Sequence, residues 1–147
     1  MNNWVAASLL SSIGLSGLLA TAAAASVDTS PKPGGVYRLK PGIFVEQGTR
    51  CEDAPNASIR LYDGRGISTA HTRACRAKVV SRRGSRYTVR QSCIDAGAGP
   101  APRFVETQTL TVRDALTFTL GKGTRAATYR YCPVYQLPPG LRSAVPR

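Results

Sequence analysis

The sequence predicts an all-β protein: a small antiparallel up-and-down meander that closes into a seven- or eight-stranded barrel with two disulfides. Three observations predict it. Beyond residue 35 the chain falls into seven short β-rich runs at even spacing, separated by turn residues. No window of about 11 residues in that part carries a helical stripe. Four cysteines, an even count, follow a leader of export type.

The chain has 147 residues, with 20 Lys plus Arg against 8 Asp plus Glu, a net charge of +12. That length fits one ordinary domain and excludes a large multidomain enzyme. A hydrophobic content of 42% with 14 Gly and 10 Pro argues against a disordered or collagen-like chain. Residues 1–27 carry no charged side chain, and Leu9, Leu10, Ile13, Leu15, Leu18 and Leu19 centre an apolar run ending in small residues. Residues 1–25 therefore read as a signal peptide cut before Ser26. The alternative is an uncleaved anchor, because residues 5–25 could just cross a bilayer; the Ala and Ser content makes a poor one. No Cys near the cut suggests a lipid anchor, and no later stretch is apolar enough to span a membrane. The expected localisation is exported, periplasmic or secreted.

The Pro- and Gly-rich residues 26–35 are expected to form a flexible lead-in, and residues 36–132 the barrel. Ile43-Phe44-Val45 is the first strand, before a loop at 51–56. Ile59 to Tyr62 alternates and ends at Asp63-Gly64-Arg65-Gly66, a hairpin signal. Residues 67–81 are expected to form one strand, with a bulge, up to the turn Arg82-Arg83-Gly84-Ser85. Residues 86–94 place Tyr87 and Val89 on one face. Residues 95–102 form a loop. Residues 103–112 alternate, and Arg113-Asp114 allows a turn. Leu116, Phe118 and Leu120 face one way, with Thr117 and Thr119 opposite. Gly121-Lys122-Gly123 turns the chain into the last run, 126–132. The tail 133–147 holds four of the ten prolines and is expected to be irregular. Closure into a barrel is preferred because it removes exposed edges.

Cys51, Cys75, Cys93 and Cys132 include no C-x-x-C pair, and His71 is the sole histidine, so disulfides are expected before metal ligation. With seven alternating strands, the first and the seventh both end at the top, near Cys51 and Cys132. Cys75 and Cys93 lie on neighbouring strands, and pairing them about Gly84 sets residue 77 opposite 91 and 79 opposite 89. The topological preference is thus Cys51–Cys132 and Cys75–Cys93, one of three connectivities.

The leader, the meander and the Tyr62-Asp63-Gly64-Arg65-Gly66 hairpin resemble the small exported β-barrels of the calycin type. These include lipocalin-like proteins and some bacterial protease or lysozyme inhibitors. The resemblance covers residues 36–132 as architecture and implies binding rather than catalysis; it carries no site residues to this chain.

Catalytic groups are not expected, nor a cofactor or a metal. Gly66-Ile67-Ser68-Thr69-Ala70 has a partial likeness to a nucleophile elbow, but that motif needs a strand-to-helix turn, and a strand is expected here. Asp63, Asp95 and Asp114 fall at expected turns, which explains them without a glycosidase pair. Glu52-Asp53 reads as a solvated loop. Asn56-Ala57-Ser58 matches a glycosylation acceptor, a match that chance often produces. The series Thr107, Thr109, Thr111, Thr117, Thr119 could suggest a flat polar binding face, but threonine is a good strand former and the structural account is preferred.

Seven cations fall within residues 73–90. Strand alternation gathers Arg76, Lys78, Arg86 and Arg90 on one face, with Arg82 and Arg83 at the hairpin tip. These six are the candidate anion-binding residues; a solubilising charged edge is the plainer alternative. The leading expectation is a non-catalytic barrel that binds an apolar molecule inside, or a protein through loops 51–56 and 95–102, as an inhibitor does. The rival is an electrostatic binder of anionic polysaccharide or lipid head groups. Nucleic acid suits the charge, but the export signal argues against it, and Tyr87 on the opposite face leaves no stacking platform. Phe118, Tyr129 and Tyr131 are candidate wall residues of the barrel.

Overall fold

The computed structural model describes residues 27–97 and 102–146. The leader, and the middle of the 95–102 loop, lie outside the described residues. Eight strands form one antiparallel sheet: β1 (Gly42–Glu46), β2 (Ile59–Tyr62), β3 (Ile67–Ser68), β4 (Thr72–Arg83), β5 (Arg86–Asp95), β6 (Arg103–Asp114), β7 (Thr117–Leu120) and β8 (Ala127–Cys132). Each pairs with its neighbour in sequence except β3 with β4, and β8 returns to pair with β1. Only β3 and β4 lack a ladder, so the sheet is a nearly closed up-and-down barrel. Among the described residues no helix is long and apolar enough to cross a membrane.

The run 67–81, expected as one strand, is two. The break at Thr69–His71 has a local cause. Thr72 Oγ1 accepts the Thr69 N–H at 2.8 Å, and Thr69 Oγ1 accepts the His71 N–H at 3.1 Å. Such hydroxyl-to-backbone bonds offer the chain a turn in place of a ladder. His71 sits exposed in that turn, and no helix follows Ser68.

The seam between β3 and β4 closes by other means. Arg65 O accepts the Ala77 N–H at 2.8 Å. The side chain of Gln91, only 2% exposed, crosses the gap: its Oε1 accepts the Ile67 N–H at 2.8 Å and its Nε2 donates to the Ile67 carbonyl at 3.0 Å. One amide thereby replaces a rung of sheet. Gly66 permits the approach, since a Cβ there would lie 2.6 Å from the Cys75 carbonyl carbon and oxygen.

Strand alternation divides the apolar residues into two cores. Inward side chains pack Phe44, Tyr62, Tyr87, Val89, Leu110, Phe118, Tyr129 and Tyr131 inside the barrel, joined by Tyr37 and Leu39 from the segment ahead of β1. Phe118 stacks on Tyr129 with ring centroids 5.1 Å apart, and Phe44 meets Phe118 edge-on at 5.2 Å. The three candidate wall residues thus fill the interior. Asp28, ahead of this segment, pairs with Lys40 at 2.9 Å and accepts the Tyr131 hydroxyl proton at 3.0 Å. Partial burial opposes its charge, but the hydrogen bonds from Lys40, Ser30 and Tyr131 hold its carboxyl below the ordinary range.

Outward side chains of β1, β2 and β8 form the second core, with Ile43, Val45, Ile59 and Cys132 beneath Leu137 and Val145 of the tail. The tail contributes a 3₁₀ turn (Val134–Gln136) and a single helical turn, α1 (Pro139–Arg142), and packs against this wall.

Both expected disulfides form, Cys51–Cys132 and Cys75–Cys93. The Cys75–Cys93 register is the expected one, with Ala77 opposite Gln91 and Val79 opposite Val89. The parity argument for Cys51–Cys132 needs correction. With eight strands β8 runs against β1, and Cys132 stands opposite Ile43 at the start of β1 rather than beyond its end. The loop after β1 doubles back to carry Cys51 there, and Arg130 anchors it by donating to the Thr49 carbonyl at 2.7 Å. Two disulfides suit an oxidising compartment.

Candidate anion-binding face

The outward face of β4, β5 and β6 can be read rung by rung from the register. Arg83, Arg86 and Thr111 form the first row, and Ser81, Thr88 and Thr109 the second. Lys78, Arg90 and Thr107 form the third, and Arg76, Ser92 and Val105 the fourth. Directly paired residues lie about 4.5–5.5 Å apart, and successive rows about 7 Å apart. Two like-charged pairs, Arg83–Arg86 and Lys78–Arg90, therefore flank a row of hydroxyls. No carboxylate occupies an outward position in these rows. Among the described residues none of Arg76, Lys78, Arg83, Arg86 and Arg90 enters an ion pair.

Five of the six candidate cations share this face; Arg82 does not. The register slips between Val79 and Ser81, and one extra residue turns Arg82 to the side of Tyr87. Its guanidinium lies 4.9 Å from the Tyr87 ring centroid. The same bulge brings Ser81 and Arg83 outward together.

The face is concave at the hydroxyl row. A depression of about 390 Å³ is lined by Thr88, Thr107, Gln108, Thr109, Leu120, Gly121 and Lys122. A second, of about 210 Å³, lies against Ser81, Arg83, Arg86 and again Thr88, Thr109 and Lys122. Their floor is recessed: Thr109 is 9% exposed, although it points away from the barrel interior. Lys122 comes from the turn between β7 and β8. Gly121 sets that turn, with φ of +100° and its N–H donated to the Thr109 carbonyl at 2.9 Å. Ser81 and Thr88 lie within the charge run but carry no charge, while Thr109 on β6 and Lys122 in the turn after β7 lie outside it, so the charge run singled out none of them. Arg103 belongs with them. From β6 it reaches across β5, donating to the Ser92 carbonyl at 3.1 Å and the Ala74 carbonyl at 3.1 Å, which fixes it over the fourth row.

The carboxylates lie elsewhere, and several cap turns. Asp63 accepts the Arg65 N–H at 2.9 Å, Asp95 that of Gly97 at 2.9 Å and Asp114 that of Leu116 at 2.7 Å. Glu52 and Asp53 stand exposed beside Arg50. What the outward face can do chemically is hold negative charge, through guanidinium and ammonium groups, and hydrogen-bond neutral groups through hydroxyls that both donate and accept. Comparison with known proteins finds no matching family model, no matching curated protein and no matching solved structure.

Proposed function

We propose that this chain is an exported, non-catalytic binding protein, calycin-like in architecture, that holds anionic envelope polymers against the outward face of β4–β6. The observation that carries the reading is the set of unneutralised cations in register, Arg83 with Arg86 and Lys78 with Arg90, around a recessed hydroxyl row. Like charges placed opposite each other cost stability, and an anionic ligand relieves that cost. The interior supports the choice of the surface over the barrel, since aromatic side chains occupy it. Four paired cysteines and the leader favour the envelope or the exterior as the place of action.

The test is a titration of the full chain with a heparin-like polysaccharide and with a fatty acid, each at two ionic strengths. Saturable polysaccharide binding that weakens steeply with salt, and is lost in Arg83→Ser/Arg86→Ser, is the expected result. Saturable, salt-independent fatty-acid binding without polysaccharide binding would overturn the reading in favour of an internal apolar site.

A further inference from the structure

Resting on that reading, we propose that the ligand is a linear acidic polysaccharide, held by its charged groups at two cation pairs and by its sugar hydroxyls at the row between them. Arg90 lies four positions beyond Arg86 on β5, a span of about 13 Å along the strand. Each has a cation beside it, Arg83 and Lys78 respectively. The face thus offers not a uniform field but two dense patches of positive charge with a row of hydroxyls between them, to which Lys122 adds a single cation. Ser81, Thr88 and Thr109 form that row, and Lys122, from the turn after β7, lines the same depression.

This pattern selects among polyanions. A bilayer surface is planar and would meet the exposed guanidinium groups without reaching Thr109, which is 9% exposed at the floor of the depression. Polyphosphate carries acceptors and charge at every unit, so the hydroxyl row would meet charge with Lys122 alone to offset it there, and the acceptor capacity of the hydroxyls would find no donor. An acidic glycan separates its anionic groups by ring hydroxyls that donate as well as accept, and Ser and Thr hydroxyls do both. The larger depression, about 390 Å³, falls within the range of small-molecule sites, wide enough for a sugar segment to lie in rather than on the sheet. Leu120, half-buried against the interior cluster, is among the lining residues and leaves a sugar ring an apolar edge to meet.

Size-defined heparin oligosaccharides, size-defined polyuronates, inorganic polyphosphate and anionic vesicles, titrated into the full chain, test this. The two glycan series distinguish sulfate from carboxylate as the anionic group. Affinity should climb sharply once an oligosaccharide spans the two cation pairs and then level off. Thr88→Val, nearly isosteric, should weaken oligosaccharide binding about three- to tenfold, the worth of one hydrogen bond, while leaving polyphosphate binding within about twofold. Ser81→Ala, at an exposed position, repeats the test should Thr88→Val disturb folding. Affinity that follows charge alone, equal for polyphosphate and glycan and indifferent to both substitutions, would overturn the inference and leave the anion-binding face standing. Tighter binding to vesicles than to any oligosaccharide would overturn it as well. Failure of every polyanion to bind would remove the face itself.

Discussion

Replacing Gln91 with Met removes the side-chain rung across the β3–β4 seam and leaves the Ala77 N–H to Arg65 carbonyl bond in place. Met keeps nearly the same volume and flexibility, so packing loss is small. What goes is the pair of hydrogen bonds to the Ile67 N–H and carbonyl, with a longer one to the half-buried Gln108 side chain. Those two backbone groups face the seam, because the other edge of β3 is committed to β2 through Tyr62 and Leu61. With Gln91 gone they are buried and unpartnered, at about 1–3 kcal/mol each. The total loss is therefore about 2–6 kcal/mol, a large share of the stability of a domain this size. Equilibrium urea unfolding measures it, read as a fall in midpoint at constant slope. Gln108→Ala is the control: Gln108 is half-buried and its carbonyl oxygen accepts from Gln91 at 3.3 Å, so its loss leaves no backbone group stranded. A Gln91→Met protein within about 0.5 kcal/mol of the parent would refute the reasoning, and would mean that the Ile67 groups are satisfied some other way.

Three further outcomes follow. Arg90→Thr removes the like-charge contact with Lys78 and supplies a good strand former, so it should stabilise the fold by about 0.2–1 kcal/mol at low salt while weakening polyanion binding; thermal melts beside titrations would show both, and destabilisation at low salt would contradict it. Alkaline pH should unfold the protein. Burial pushes the Tyr131 phenol up to about 12 and raises those of Tyr37, Tyr62 and Tyr129. Above about pH 10 the unfolded chain sheds phenolic protons that the native state keeps, so stability falls from there until the native phenols ionise; a melting temperature flat across that window would contradict the burial assigned to these rings. Breaking the disulfides should be unequal. The Cys51–Cys132 separation of 81 residues exceeds the 18 of Cys75–Cys93, so the chain-entropy model assigns losses of about 4–5 and 3 kcal/mol respectively; paired Cys→Ser variants in denaturant measure the order, and its reversal would count against that model here.

Much of the barrel could be read along the chain because its determinants are local. Alternation such as Ile59 to Tyr62 marks strand and face together. Centring the hairpin on Gly84 predicts the Cys75–Cys93 register, although the turn itself pairs Arg83 with Arg86 and the bulge between Val79 and Ser81 restores that register. The break at Thr69–His71 was not legible from hydrophobic pattern, since residues 67–81 keep strand composition throughout; the Thr69 and Thr72 hydroxyls were the available sign. Gln91 had no signal at all. A buried amide acquires its meaning from Ile67, 24 residues away in sequence. The same limit holds at the surface. Alternation alone recovers Arg76, Lys78, Arg86 and Arg90 as one face, but a bulge moves Arg82 off it. Thr109 and Lys122 join it only through the pairing of β5 with β6 and the turn after β7.

The central claim is that the outward face of β4–β6 receives an acidic chain. Backbone amide shifts of the isotopically labelled protein, followed by NMR during titration with a heparin oligosaccharide, test it most directly. The account expects perturbations concentrated at Ser81, Arg83, Arg86, Thr88, Arg90, Thr109 and Lys122, fading as salt is added. Shifts centred instead on the interior ring cluster around Phe44 and Phe118, or on the loop at Cys51, would contradict it.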